Sequence, residues 1–241
     1  MTSLDLERLR MRGSNPNRAI DYYETIDSTM CAAAGRPLGT VIIADEQTAG
    51  QGRHGHSWHS ERGTGIYFSI VLRPAPLLTL ALGLATAEAI TTAAGIACDL
   101  RWPNDVLVGG KKAAGVLVEL VNGAAISGIG INVNHTGFPA DLAGQAISLR
   151  MHAGREFSRF DILAALISSV ENFAEMDRET ILRLFAQASS YAAGRRVVAE
   201  QPEGSVVGVT AGLTDDGYLL VQKDDGTDTL IVAGGVRAAG A

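Results

Sequence analysis

Cysteine is scarce in this 241-residue chain: only Cys31 and Cys98 occur, with no CxxC spacing. That excludes a disulfide scaffold and reads as two thiols kept reduced in a cytoplasm. Long apolar runs are also missing. No stretch approaches the roughly 18 apolar residues of a membrane-spanning helix, and residues 1–18 are polar and charged, without the apolar core of a secretory signal. Positive charge is in deficit, with 20 Lys and Arg against 26 Asp and Glu for a net charge of −6. A duplex-binding protein normally carries a basic face, so neither nucleic acid nor a membrane is an expected partner. Walker A, G-x-S-x-G and catalytic-triad patterns are absent, as are internal repeats and low-complexity segments.

What is present describes a globular chain, 46% hydrophobic and 19% charged, long enough for one large domain followed by a small one. Residues 1–20 lack periodicity and contain the loop signature Gly13-Ser14-Asn15-Pro16. Asp27 or Ser28 can cap a short helix over 30–34, closed by Gly35. Strands are expected at 41–44 and 65–72, and a buried Ala/Leu-rich helix at 77–94 ends before Gly95. Four short β runs follow at 97–102, 106–108, 114–121 and 124–133, the last two joined by an Asn122-Gly123 hairpin turn. Ser158 and Asp161 suggest a capping box opening a helix through Ile162, Leu166, Val170 and Phe173, and a second helix covers about 179–191. From Arg195 onward, short strands at 197–198, 206–209, 218–221 and 229–232, split by Asp-Gly turns, suggest a small barrel.

The most informative run is 44–58, Ala-Asp-Glu-Gln-Thr-Ala-Gly-Gln-Gly-Arg-His-Gly-His-Ser-Trp. Gly50, Gly52 and Gly55 leave backbone amides free to converge on an anion, and Arg53 adds a planar fork for phosphate or carboxylate. Its letters also fit G-x-G-x-x-G, but the residues that follow do not open a helix, so a dinucleotide fingerprint is excluded. Arg53, Arg62, Arg101, Lys111 and Lys112 give this acidic chain a local basic patch suited to a small anionic ligand.

Three further runs accompany it: Thr25-Ile26-Asp27-Ser28-Thr29; Arg101-Trp102-Pro103-Asn104-Asp105 followed by residues 111–119, Lys-Lys-Ala-Ala-Gly-Val-Leu-Val-Glu; and residues 128–134, Gly-Ile-Gly-Ile-Asn-Val-Asn. In this order and at these separations the four runs resemble the biotin–protein ligase family, closely over about residues 23–134 and more loosely to the C-terminus. The family forms are T-x-D-S-T-N, Q-x-A-G-R-G-R-x-G-R-x-W, K-W-P-N-D, K-x-x-G-I-L-x-E and G-I-G-x-N.

The resemblance implies an α+β fold: a mixed-sheet catalytic domain of the biotin/lipoate ligase type (class II synthetase-like) over residues 23–191, and a small C-terminal SH3-like β-barrel over 195–237. Residues 1–22 are then an extension too short for a DNA-binding domain, leaving a short-form enzyme. The implied reaction uses ATP and biotin as substrates, with Mg²⁺. The biotin carboxylate attacks the α-phosphate to give biotinyl-5′-AMP, and a lysine on the biotin carboxyl carrier domain of a carboxylase attacks that anhydride. The composition leaves a homodimer open.

By the same resemblance, Arg53 and Lys112 are the catalytic cations, reaching the biotin carboxylate and the α-phosphate. Lys112 is preferred to its neighbour Lys111 by alignment and by an inward strand position. Biotin contacts are expected from Ser28, Thr29, Met30, Gln47, Gly50, Gln51, Gly52, Arg53, Lys112 and Gly115, the short neutral side chains pairing the ureido head. Nucleotide contacts are expected from Arg53, Trp58, Asn104, Asp105 and Asn132. Several have a plainer alternative: a helix cap for Ser28 or Thr29, a strand bulge for Gly115, turn chemistry for Asn104 and Asp105, and a core aromatic for Trp58.

This chain departs from the family pattern at three places. Gln51 stands where the first loop arginine is usual, Met30 where asparagine follows Ser-Thr, and His54 and His56 where further arginines are frequent. Less fixed charge weakens the hold on an adenylate, unless histidine protonation replaces it. His54, His56 and His59 have an H-x-H-x₂-H spacing, but no downstream Cys or carboxylate array completes a zinc site, and no metal ligand is assigned. The remaining functional alternatives are a lipoate/octanoate transferase on the same scaffold, a biotin-sensing repressor and a catalytically inactive biotin-binding module.

Overall fold

The computed structural model describes residues 3–10, 17–201 and 204–239. The chain begins with helix α1 (Ser3–Arg10), strand β1 (Ile20–Tyr23), helix α2 (Thr29–Ala33) and strand β2 (Val41–Ala44), and continues through β3 (Gly65–Leu72), α3 (Leu78–Ala94), β4 (Asp99–Arg101) and β5 (Asp105–Val108). The long hairpin β6 (Lys111–Val121) and β7 (Ala124–Asn132) is followed by three helices, α4 (Leu149–Ala153), α5 (Arg159–Ala174) and α6 (Arg178–Ala188). Five strands end the chain: β8 (Ala193–Gln201), β9 (Gly204–Leu213), β10 (Leu219–Lys223), β11 (Asp228–Ile231) and β12 (Gly235–Ala238).

Strands β1 to β7 form one sheet in the order β1-β2-β3-β7-β6-β5-β4. It is mixed, because β1 pairs parallel to β2 across the α2 connection and every other pairing is antiparallel. The remaining strands form a second, antiparallel sheet, β11-β10-β9-β8-β12. Period-2 alternation sorts the first sheet into two faces. Ile66, Phe68 and Ile70 of β3 join Ile129 and Ile131 of β7 in the main core with α3 and α5, while Met30, Ala33, Ile42, Val71 and Ile126 form a smaller cluster. The main core continues without a break into Val197, Leu219, Val221, Ile231 and Val236 of the second sheet. Trp102 Nε1 also donates to the Gly217 carbonyl (2.8 Å), and Ser189 Oγ donates to that of Leu100 (2.6 Å).

Several expected signals do what their chemistry requires. Strand β3 spans the expected residues, Gly95 ends α3 with φ +69°, and Asn122 and Gly123 both take positive φ at the hairpin. The Ser158 hydroxyl accepts from the Asp161 amide. Elsewhere the boundaries move: the first short helix is Thr29–Ala33 rather than 30–34, and the last is Arg178–Ala188 rather than 179–191. The first twenty residues are not devoid of structure. Leu9 of α1 is fully buried and Arg8 stacks over the Phe160 ring at 4.4 Å, so tertiary packing makes a helix where periodicity is weak. Strand β1 crosses the expected boundary at residue 23 and completes the sheet edge. The Gly13–Pro16 loop expected from sequence lies outside the described residues. Among the described residues, no helix is long and apolar enough to cross a membrane.

Candidate active site

A cavity of about 670 Å³ opens on the sheet face opposite α3 and α5. Its floor follows from register. Tyr67 of β3 pairs with Gly130 of β7, which pairs with Gly115 of β6; one step along, Ser69 pairs with Gly128 and that with Leu117. Three glycines thus face the cavity where side chains would otherwise fill it. A Cβ on Gly115 would meet Lys112 Cε at 3.0 Å and Trp58 Cζ3 at 3.1 Å, one on Gly128 would meet Met30 Sδ at 2.6 Å, and one on Gly130 would collide with the Trp58 indole. Gly128 and Gly130 are not among the site residues expected from sequence; glycine at alternate strand positions is the signal that marks them.

One wall is neutral and hydrogen-bonded. Ser69 Oγ donates to Thr29 Oγ1 (2.8 Å), and the Gln47 Oε1 accepts from the Thr29 amide (2.8 Å) and hydroxyl (3.0 Å). Gln47 Nε2 donates to Ser60 Oγ (2.9 Å), and Ser60 donates to the Trp58 carbonyl (3.1 Å). This relay joins α2, the loop and β3, and so fixes Thr29 and Gln47 in place. Ser28 and Gly50 do not line the cavity. The Ser28 hydroxyl is buried without a partner among the described residues and makes no capping bond, while Gly50 sits where a Cβ would meet the Trp58 carbonyl at 2.7 Å and Ser60 Oγ at 2.8 Å. Gly50 therefore supports the wall from behind.

The opposite wall is charged. Lys112 Nζ and Arg101 Nη2 each lie 2.6 Å from the carboxylate of Asp105, on different oxygens. Burial alone would raise the Asp105 pKa, but Lys112 and Arg101 outweigh it and hold the group below its ordinary value. Lys111 is exposed, so the structure brings Lys112 and not Lys111 to the cavity. The Lys112 backbone is fixed from both sides: its amide donates to Gln145 and its carbonyl accepts from Ile147. Asn132, buried, reaches that carbonyl (3.4 Å) and the Ile147 carbonyl (3.3 Å).

Arg53 joins the walls. Its Nη1 donates to Asn104 Oδ1 (3.1 Å) and to the Gly234 carbonyl (2.9 Å), while Asn104 Nδ2 holds the Val116 carbonyl (2.8 Å). Burial lowers the Arg53 pKa and the nearby Asp105 charge opposes that shift. Asn104 and Asn132 both line the cavity with amide groups engaged on protein partners, which makes them braces for Arg53 and Lys112 in this state. Trp58 lies over Gly130 with Lys112 Nζ 5.4 Å from its ring, and its own Nε1 is buried without a partner among the described residues. Met30, Gln51 and Gly52 complete the set of expected residues that line the space. The sequence gives no hint of Glu200, Gln201, Gly234 and Gly235, which come to the cavity mouth from the second sheet by tertiary docking. Nor do His54, His56 and His59 gather as a ligand set: the first two are exposed.

Residues 24–135 match the biotin/lipoate A/B protein ligase family, and residues 193–236 match the biotin protein ligase C terminal domain. The bifunctional ligase/repressor BirA of Bacillus subtilis (strain 168) is 34% identical over 226 residues, covering 85% of this chain and 70% of that protein. The biotin–[acetyl-CoA-carboxylase] ligase of Mycobacterium tuberculosis (strain ATCC 25618 / H37Rv) is 34% identical over 218 residues, covering 85% of this chain and 80% of that protein. Among solved structures, the biotin protein ligase from Aquifex aeolicus in complex with biotin and ATP superposes with a TM-score of 0.83 at 31% identity, covering 92% of this chain and 99% of that one.

Proposed function

Because the chain belongs to the biotin–protein ligase family, we infer that its cavity activates biotin with ATP and passes the biotinyl group to a lysine of a carrier protein. The observation that carries this reading is the pairing of a glycine-floored cleft with one neutral wall and one cationic wall. The ring system of biotin suits the floor of Gly115, Gly128 and Gly130, which it reaches when the Trp58 ring, lying over Gly115 and Gly130 here, moves aside. The ureido head suits the Thr29–Gln47 wall, and the carboxylate then points toward Lys112 and Arg53. There the two cations offset the repulsion between a carboxylate oxygen and the α-phosphate it attacks, as pyrophosphate leaves. In the second step an acceptor lysine, having lost its proton to solvent, attacks the biotinyl carbonyl and AMP departs as the phosphate anion.

The acceptor is the carrier domain of a biotin-dependent carboxylase, a reading supported by the acetyl-CoA-carboxylase ligase relative. Magnesium brought in with the nucleotide would neutralise its phosphates. Asp105, engaged by two cations, does not fit as its ligand. The C-terminal match to biotin protein ligases favours biotin over lipoate as substrate. Biotin-dependent exchange of labelled pyrophosphate into ATP isolates the first step without an acceptor. Exchange supported by biotin and not by lipoate is the expected result; exchange with lipoate alone would move the chain to the other branch of the family.

A further inference from the structure

The three loop histidines do not make a metal site by their spacing, but folding gives one of them different partners. His59, at the end of the glycine-rich loop, meets Glu61 and His135, the latter on the chain just after β7. Each offers one ligand atom, and these atoms lie within 4.8 Å of one another. We propose that His59, Glu61 and His135 bind a divalent transition-metal ion, zinc by the chemistry of the donors.

Two imidazoles and one carboxylate suit zinc, cobalt, nickel or copper, whereas magnesium and calcium favour oxygen ligands. A tetrahedral zinc ion with bonds of about 2.1 Å holds its ligand atoms about 3.4 Å apart. The triad therefore needs a contraction of at most about 1.4 Å. Glu61 is exposed and His59 half-buried, so both are placed to supply it by side-chain rotation.

His135 is the fixed member. It is fully buried, and its Nδ1 has no partner among the described residues. The hydrogen bonds beside it select the tautomer. Tyr67 donates its hydroxyl proton to the Glu61 carbonyl (2.7 Å), and His135 Nε2 lies 3.4 Å from the same hydroxyl oxygen. Nε2–H therefore points to Tyr67, which leaves the Nδ1 lone pair for a ligand. Orienting a ligating histidine through its other ring nitrogen is the usual arrangement in metal sites. Phe138 stacks on His135 (centroids 5.0 Å apart) and meets His59 edge-on (6.1 Å), an apolar wall that holds both rings. The cation facing His135, Arg159, is already paired with Asp45 at 2.6 Å.

Because His59 and Phe138 also line the cavity, a bound ion would tie the end of the loop to the segment after β7 at the cavity edge. It would be separate from any ion carried by the nucleotide, which belongs with the phosphates at Arg53 and Lys112. A buried water on Nδ1 is the competing occupant.

The experiment is titration of the full, chelator-treated chain with Co²⁺, read by its visible ligand-field bands, followed by displacement with Zn²⁺. One ion per chain, with the intense bands of four-coordinate cobalt, is expected. His59→Ala and Glu61→Gln sit near the surface and should each weaken binding about tenfold or more, while His54→Ala, His56→Ala and His152→Ala leave it unchanged. Zinc should also slow amide exchange in residues 59–62 and 134–138. Wild-type protein without four-coordinate cobalt bands overturns the proposal and leaves water on His135. So does binding that survives His59→Ala or disappears with His54→Ala and His56→Ala.

Discussion

The two faces of the seven-stranded sheet are made from the same strands and used in opposite ways. On β7, Ile129 and Ile131 enter the core beneath α3 and α5, while their neighbours Gly128 and Gly130 lie directly under Met30 and Trp58 on the cavity face. On β3, Phe68 and Ile70 join that core and Ser69 starts the hydrogen-bond relay to Thr29 and Gln47. One face is stabilised by apolar burial, roughly 25 cal/mol per Å². The other gives up such burial: glycine in a strand weakens it, and here the volume so released forms the cleft. Residue parity along a strand therefore separates stability from binding. The cavity face carries Lys112, Arg101 and Asp105, whereas Phe68, Ile70, Ile129 and Ile131 bring only apolar side chains to the core.

The division between the two faces has its largest functional consequence at Lys112. Lys112→Ala should lower biotin-dependent pyrophosphate exchange about 10²–10³-fold, the usual cost of removing one charge-stabilising group from a closed site. Its thermal midpoint should stay close to that of the wild type, because Arg101 still pairs with Asp105. Near-normal exchange in this variant, with Lys111→Ala inactive, would show that the wrong lysine has been assigned.

Two adjacent substitutions sharpen the contrast between faces. Ile129→Ala should cost about 2–5 kcal/mol in denaturant unfolding while leaving the KM for biotin near wild type. Gly130→Ala should do the reverse. The added methyl collides with the Trp58 indole, a side chain on a loop that can yield, so the KM for biotin rises with little loss of stability. Equal destabilisation by both changes would mean that the cavity floor is as much a packing surface as the core is.

Much of this division is legible in the sequence because the signals are local. Strand β3, helix α3 and the Asn122-Gly123 turn follow from alternation, a glycine cap and φ preferences within a few residues. Of the expected site residues, those on the four motif runs converge on one cavity, apart from Ser28 and Gly50, which lie behind its wall. What escapes a sequence reading depends on distant contacts. Helix α1 is held by Leu9 in the core and Arg8 on Phe160, contacts that its own eight residues cannot encode. Glu200, Gln201, Gly234 and Gly235 reach the cavity only because the second sheet docks on the first. His135 acquires its surroundings from Tyr67 and Phe138, which stand far away and close by in sequence, respectively.

A smaller effect is expected at Gln51, which lines the cavity at the loop position where the resembled motif has an arginine. Gln51→Arg should slow release of the biotinyl-adenylate several-fold, since a charge-assisted bond to phosphate is about twice as strong as a neutral one. Chase of the labelled intermediate measures this; unchanged or faster release would remove position 51 from the phosphate side.

The smallest and most local change is expected in the loop itself. Its hydrogen bonds are largely internal: the Gly52 amide donates to the His56 carbonyl (2.7 Å) and the Trp58 amide to that of Gly50 (2.8 Å). At its tip, His54 and Gly55 take consecutive positive φ values, +55° and +77°, a conformation that costs a histidine more than a glycine. The two ends of the loop are tied down, by the Thr48 and Ala49 amides on Ile26 and Asp27 and by Ser60 on Gln47, while its middle meets the body through Arg53, on Asn104 and Gly234, and through the Trp58 ring over Gly130. Both contacts occupy groups that the reaction needs. A bound adenylate should draw Arg53 onto its phosphate and place Trp58 over the ligand, which trades two weak attachments for a charged one and an apolar lid. Amide exchange across residues 48–62 should then fall on addition of biotin and ATP, and by more than in β3 or β7, where the ladder already protects the backbone. Equal protection with and without the adenylate would mean that the loop is a fixed wall of the cavity, and that water is excluded from the anhydride by the second sheet instead.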